Sequence, residues 1–267
     1  MKNEKETKTT ATAPKSNTPL LIMGAVLMAA GLFAWYMLSS SSKPATTATA
    51  NNSTANKPPA SPKATMAPNA PAGAQPPNQS GSPNAMVTLE EFADFQCGSC
   101  AAAHPILNEI KSTYGSKIRF IFRNFPLEIP AHDKSYEAAL AAEAAGLQSK
   151  FWDMQNIIFT NQKGWSTSKD YKEIWRGYAE SIGLDVAKWE KDMKGIVATA
   201  RVQADIDRGK ALGITGTPTL YINGVSVEAP ELRLSVLKPL IDAELQRVAP
   251  QASPASNAPA ESGNQNK

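Results

Sequence analysis

The residues best suited to chemistry are Cys97 and Cys100, the chain's only cysteines, with two residues between them in the segment FADFQCGSC. A pair with this spacing can exchange thiols for disulfides, supply half of a zinc site, or form an inert staple. Cys97 falls where an extended apolar stretch gives way to helical spacing. Unpaired N–H groups and the positive end of the helix dipole stabilise a thiolate there, so its pKa is expected below the free value of about 8.5. Cys100, one turn deeper, is expected to keep its proton. Residues three apart on a helix share a face, with side chains about 5 to 6 Å apart, which suits a disulfide. The resulting chemistry has Cys97 attacking or being attacked and Cys100 resolving the mixed disulfide. Gly98 and Ser99 add no positive charge. The helix is therefore expected to do most of the lowering, with a milder shift than a histidine in the pair would give.

The other readings find less support in the sequence. A metal site needs further ligands, and the only histidines are His104 and His132. A tethered soft-metal module built from Cys97, Cys100 and His104 is the alternative of a different class. A structural disulfide closing so short a loop contributes little, because its benefit grows with loop length. A net charge of +3 without a basic, aromatic-interleaved block sets nucleic acid aside. No cofactor or resident metal is called for.

Several elements must position the pair. Residues 86–92 and 117–123 are β-branched and aromatic and read as strands of one sheet. Residues 97–114 between them have helical apolar spacing at Ala101, Ile106, Ile110 and Tyr114, end at Gly115 and carry Pro105, giving a βαβ unit. Residues 133–213 are dominated by helix signals, and Trp152, Trp165, Trp175 and Trp189 there read as core or groove. Two short strands, 218–222 and 225–228, flank Asn223-Gly224, a strong hairpin signal, and an amphipathic helix follows with Ser235 as N-cap and Pro239 in its first turn. Gly216-Thr217-Pro218 precedes the first of these strands, where a proline without an N–H is tolerated.

Further out, residues 1–19 are polar, and residues 20–38 form an uncharged run long enough, at roughly 28 Å, to span a membrane, with Trp35 and Tyr36 near one end. The lysines before it favour a cytoplasmic N-terminus. Residues 39–84 read as a disordered Ala/Pro/Ser/Thr linker and 249–267 as a disordered tail, leaving 85–248 as the folded domain.

The succession of strand, FADFQCGSC, helix, strand, helical insertion, GTPTLYING and final helix resembles the disulfide-bond protein A (DsbA) family. The resemblance implies an α/β thioredoxin-like fold with an inserted helical subdomain. It implies Cys97 as the exposed nucleophile, with a cis-proline loop at Thr217-Pro218 facing it. It implies a buried proton carrier at Glu91, six residues before Cys97, with Asp94 a weaker candidate. It further implies a monomeric extracytoplasmic oxidase on the periplasmic side of the inner membrane, with an apolar groove near Pro218. Its clients would be cysteine-containing exported proteins, and a membrane quinone-linked disulfide generator would reoxidise it. The Gly-Ser pair departs from the Pro-His of strongly oxidising members, which leaves reductase and isomerase readings open.

Overall fold

The computed structural model describes residues 65–249. The apolar run at 20–38, expected as an anchor, lies outside these residues, as do the expected cytoplasmic segment and nearly all of the expected tail. Among the described residues no helix is long and apolar enough to cross a membrane.

Five strands form one sheet: β1 (Asn78–Gly81), β2 (Val87–Ala93), β3 (Ile118–Asn124), β4 (Thr219–Ile222) and β5 (Val225–Val227), in the order β1-β3-β2-β4-β5. β2 and β3 run parallel, joined by helix α1 (Gly98–Tyr114), and the other pairings are antiparallel. Side chains alternate between faces. Leu89, Phe120 and Phe122 join the main core beneath α1, whereas Phe92 packs with Phe125, Ile214 and Tyr221 on the opposite face. Helix α2 (Ser135–Gly146), α3 (Phe151–Thr160), α4 (Gln162–Ser166), α5 (Tyr171–Ser181), α6 (Val186–Met193) and α7 (Ile196–Ala211) form the insertion, and α8 (Leu234–Val248) packs on α1 and β2. Trp165, Trp175 and Trp189 are buried in the core and Trp152 is half-buried against it.

Two differences from the sequence reading stand out. The hairpin turn forms as expected, with both Asn223 (φ 46°) and Gly224 (φ 78°) in the left-handed region. The helix after it starts two residues earlier than expected, at Leu234 with Arg233 as N-cap, so Ser235 is not the cap and Pro239 sits in the second turn. Pro105 lies inside α1, as expected. The larger difference is at the expected linker, whose residues 65–84 are ordered against the domain and pair with both edges of the sheet. Thr65 pairs with Val225 at the β5 edge, and β1 pairs with β3 at the other edge. Residues 66–77 cross between these edges on the α7 side, held by side chains that composition does not reveal. Arg123 donates to Ala72 O (2.9 Å), Ala74 O (3.0 Å), Glu90 (2.6 Å) and Asp205 (3.0 Å). Arg208 donates to Pro71 O (2.6 Å) and to both oxygens of Glu90 (each 2.8 Å). Arg123, Glu90 and Asp205 are all buried, and a buried ion pair is stable only when its remaining hydrogen-bonding capacity is met. The strap's carbonyls meet it.

Candidate active site

β2 delivers a buried stretch, Ala93, Asp94 and Phe95, to the start of α1, where Cys97 is the N-cap with extended backbone (φ −67°, ψ 119°). Its main chain therefore has not yet entered the helix, and the first-turn N–H groups of Ser99 and Cys100 point at its sulfur. Both thiols are unpaired, with Cys97 7% exposed and Cys100 fully buried. The cysteine resembling the family's exposed nucleophile is thus largely covered.

The Cys97 thiol is pulled down from 9.0 to about 5. The largest cause is a hydrogen bond from the Cys100 thiol; burial opposes it, and the Thr217 hydroxyl and the two helix N–H groups add to it. The expectation that the helix would do most of the lowering is corrected: the neighbouring thiol leads and the helix terminus comes last. Cys100 is pushed up well above 9.0 by burial, by donating to Cys97, and by the negative charge of Glu91. The two sulfurs are therefore separated into a nucleophile or leaving group and a proton holder.

The Thr217–Pro218 bond is cis, and the thiol of Cys97 donates to Thr217 O at 3.2 Å, so the loop is brought against the nucleophile across 120 residues of sequence. The Thr217 hydroxyl is buried and has no other partner among the described residues, which leaves it available to a thiolate at Cys97. Glu91 is buried within the sheet, and burial raises its carboxyl to about 7, against the opposing pull of Lys111. Lys111 is itself lowered to about 8 by burial, its ammonium lying 4.4 Å from the centre of the Trp152 ring. Nothing in the sequence paired Lys111 with Glu91; they meet because α1 lies across the face of β2 that carries Glu91.

Asp94 takes a different place from a proton carrier. It accepts from the main-chain N–H of Gln96 (2.7 Å) and Leu127 (2.8 Å), from His132 Nδ1 (2.7 Å) and from the Ser135 hydroxyl. It is a bracket between the active-site turn and the loop before α2. His104 Nε2 is 3.0 Å from both Asn156 and Asn108, and its ring stacks on Phe159 at 5.0 Å, so it is engaged away from a three-ligand metal site. Among the described residues no cluster of three or more metal-ligating side chains forms. A groove of about 990 Å³ opens at Gly98, next in sequence to Cys97. It runs along α1 past His104 and Pro105 to Phe159, Ile174 and Tyr178 of the insertion. The expected groove was near Pro218, yet this one is walled by α1 and α3 to α5.

Known proteins can be set beside this geometry. A family model described as thioredoxin matches residues 75–243. The chain belongs to this thioredoxin family. Its model begins within the strap, ten residues before the domain start expected from composition. In fold the thioredoxin domain is similar to BdbD from Bacillus subtilis in its oxidised form, with a TM-score of 0.57, 23% identity, and 66% of this chain and 98% of that one covered. It is also similar to alpha-DsbA2 from Wolbachia pipientis, described as a thiol-disulfide exchange protein, with a TM-score of 0.53, 24% identity, and coverage of 62% and 86%. By sequence it is 33% identical over 162 residues to a Na(+)/H(+) antiporter NhaA 1 of Mycolicibacterium gilvum, covering 60% of this chain and 25% of the antiporter. The NhaA of Herminiimonas arsenicoxydans is 32% identical over 144 residues. The chain spans about a quarter of the length of these curated relatives.

Proposed function

We propose that the protein is an extracytoplasmic thiol-disulfide oxidoreductase that donates disulfides to cysteine-containing exported proteins. The observation that carries the reading is the division of the pair, with Cys97 held as a thiolate at about 5 and Cys100 held as a thiol well above 9.0. In the oxidised enzyme a client thiolate attacks Cys97 Sγ. The Cys97–Cys100 bond breaks, a client–Cys97 disulfide forms, and Cys100 leaves and takes up a proton. A second client thiolate then attacks the client sulfur of the mixed disulfide, and Cys97 departs with the electron pair. The client is oxidised by two electrons and the enzyme becomes the dithiol. A thiol of low pKa leaves faster and stabilises the reduced enzyme, which favours donation over reduction.

The extracytoplasmic placement is supported by the uncharged run at 20–38 and by the compartments in which disulfides persist. A membrane quinone-linked disulfide generator is the recycling partner that the family resemblance implies. The antiporter relatives match this chain over only about a quarter of their own length, so thiol exchange rather than ion transport is the activity we assign to it. Oxidative refolding of a reduced, cysteine-bearing client by the oxidised protein tests the proposal. Refolding should proceed with the wild type and stop in Cys97→Ser. Equal refolding by that variant, or an equilibrium potential near −270 mV rather than near −120 mV, overturns the oxidase reading.

A further inference from the structure

The active-site turn is held by a residue of the helical insertion. Gln162 opens α4 and is buried at 8% exposure. Its Nε2 donates to Phe95 O at 2.7 Å and to Cys97 O at 2.9 Å, two carbonyls that flank the turn into α1. Cys97 O also accepts the first helical bond, from Ala101 N at 3.1 Å. A single amide group thus ties down both sides of the turn, from 65 residues away. The insertion supports this contact through packing, because Phe159 of α3 lies 4.7 Å from the ring of Phe95. We propose that Gln162 is a positioning residue for Cys97, through which the helical insertion sets the reactivity of the thiol.

Two physical effects follow from the geometry. The turn fixes the direction of the Ser99 and Cys100 N–H groups, and their bonds to the sulfur weaken steeply with misalignment. The Gln162 amide also places positive hydrogens over the two carbonyl oxygens that flank the turn carrying the sulfur. Removing it takes a donor from each of them in a buried setting, where under-compensated dipoles act strongly. Both effects raise the energy of a thiolate at Cys97, and both leave the disulfide little changed.

The inference rests on the reading of Cys97 as the redox nucleophile. In the full chain, the thiolate is titrated by its ultraviolet absorbance and the pair is equilibrated with glutathione, for wild type, Gln162→Met and Gln162→Glu. Methionine keeps the length and volume without the donor. It should raise the Cys97 midpoint by about one unit and lower the equilibrium constant for oxidising glutathione about tenfold, which is about 30 mV for this couple. Glutamate, which turns acceptors toward the two carbonyls, should shift both further. Variants that fold and titrate as the wild type does overturn the inference, even if their thermal midpoints fall, because that pattern belongs to packing alone. Should Gln162→Met not fold, the near-isosteric Gln162→Glu decides the matter by the same readings. A wild type that exchanges no thiols at all counts against the proposed function instead.

Discussion

Burial pushes both Cys97 and Glu91 upward, yet Cys97 ends below its ordinary value and Glu91 above, and the difference lies in what else surrounds each. At Cys97 donors from Cys100, Thr217 and the helix start outweigh burial, so the thiolate is favoured. At Glu91 only the charge of Lys111 opposes it, and the carboxyl stays protonated to about 7. The consequences for stability have opposite signs. A folded-state pKa of about 5 against 9.0 makes the Cys97 contribution grow as pH rises from about 5 to 9, because the unfolded chain binds the extra proton. A folded-state pKa of about 7 against 4.5 makes the Glu91 contribution full below about 4.5 and lost as pH rises through about 7, because there the folded protein holds the proton. Glu91→Gln should therefore be close to neutral at pH 4.5 and stabilise the dithiol form, relative to wild type, by up to about 3 kcal/mol at pH 8. Denaturant unfolding at the two pH values checks this. A difference between variant and wild type that does not change with pH would show that Glu91 does not titrate in this window.

At the scale of elements, the turn that presents Cys97 is fixed by close approach of α7 to the sheet as much as by α1 itself. A Cβ added at Gly209 would stand 2.4 Å and 2.5 Å from two ring carbons of Phe125 and 3.3 Å from Phe92. Phe125 caps the end of β3, its N–H bonded to Ala93 O at 2.8 Å, one residue before Asp94. Gly209→Ala should thus push the helix from the sheet and cost about 1 to 3 kcal/mol, the usual penalty of overpacking, measured as a lower denaturation midpoint. An unchanged midpoint would mean that Phe125 yields freely. The glycine's purpose was hidden in the sequence, where it reads only as a weak point in a helical run. What was legible were the local signals: Asn223-Gly224 for the turn, a short β-branched and aromatic run for β2, and the start of α1 at the cysteines. What was not legible depends on a distant partner. Gln162, which no motif marks, meets the active-site turn only once the insertion folds over it.

The whole molecule shows most clearly where composition misleads. Residues 65–84 are rich in Pro, Ala and Asn and bury few large side chains of their own, so by the rule that apolar burial drives order they belong to a linker. Their order comes instead from backbone groups that complete charges supplied elsewhere: Ala72 O and Ala74 O for Arg123, Ala74 N for Asp205 at 2.8 Å, and Pro71 O for Arg208. Gly73, with φ 75°, is needed where the strap passes Arg123, since a Cβ there would meet its guanidinium at 2.7 Å. The dependence runs both ways. A chain starting at residue 85 would lose β1, open the β3 edge and leave Arg123 and Asp205 buried without these bonds. Each lost bond to a buried charged group costs about 1.5 to 3 kcal/mol, so three of them approach the whole stability of an ordinary domain. We therefore expect a chain of residues 65–249 to unfold cooperatively and to retain the Cys97 titration near pH 5, and a chain of 85–248 to be unfolded or aggregated. Circular dichroism and thiolate absorbance on the two chains distinguish the outcomes. A folded, active 85–248 would mean that the strap rests on the domain without supporting it, and that water can satisfy Arg123 and Asp205 in its place.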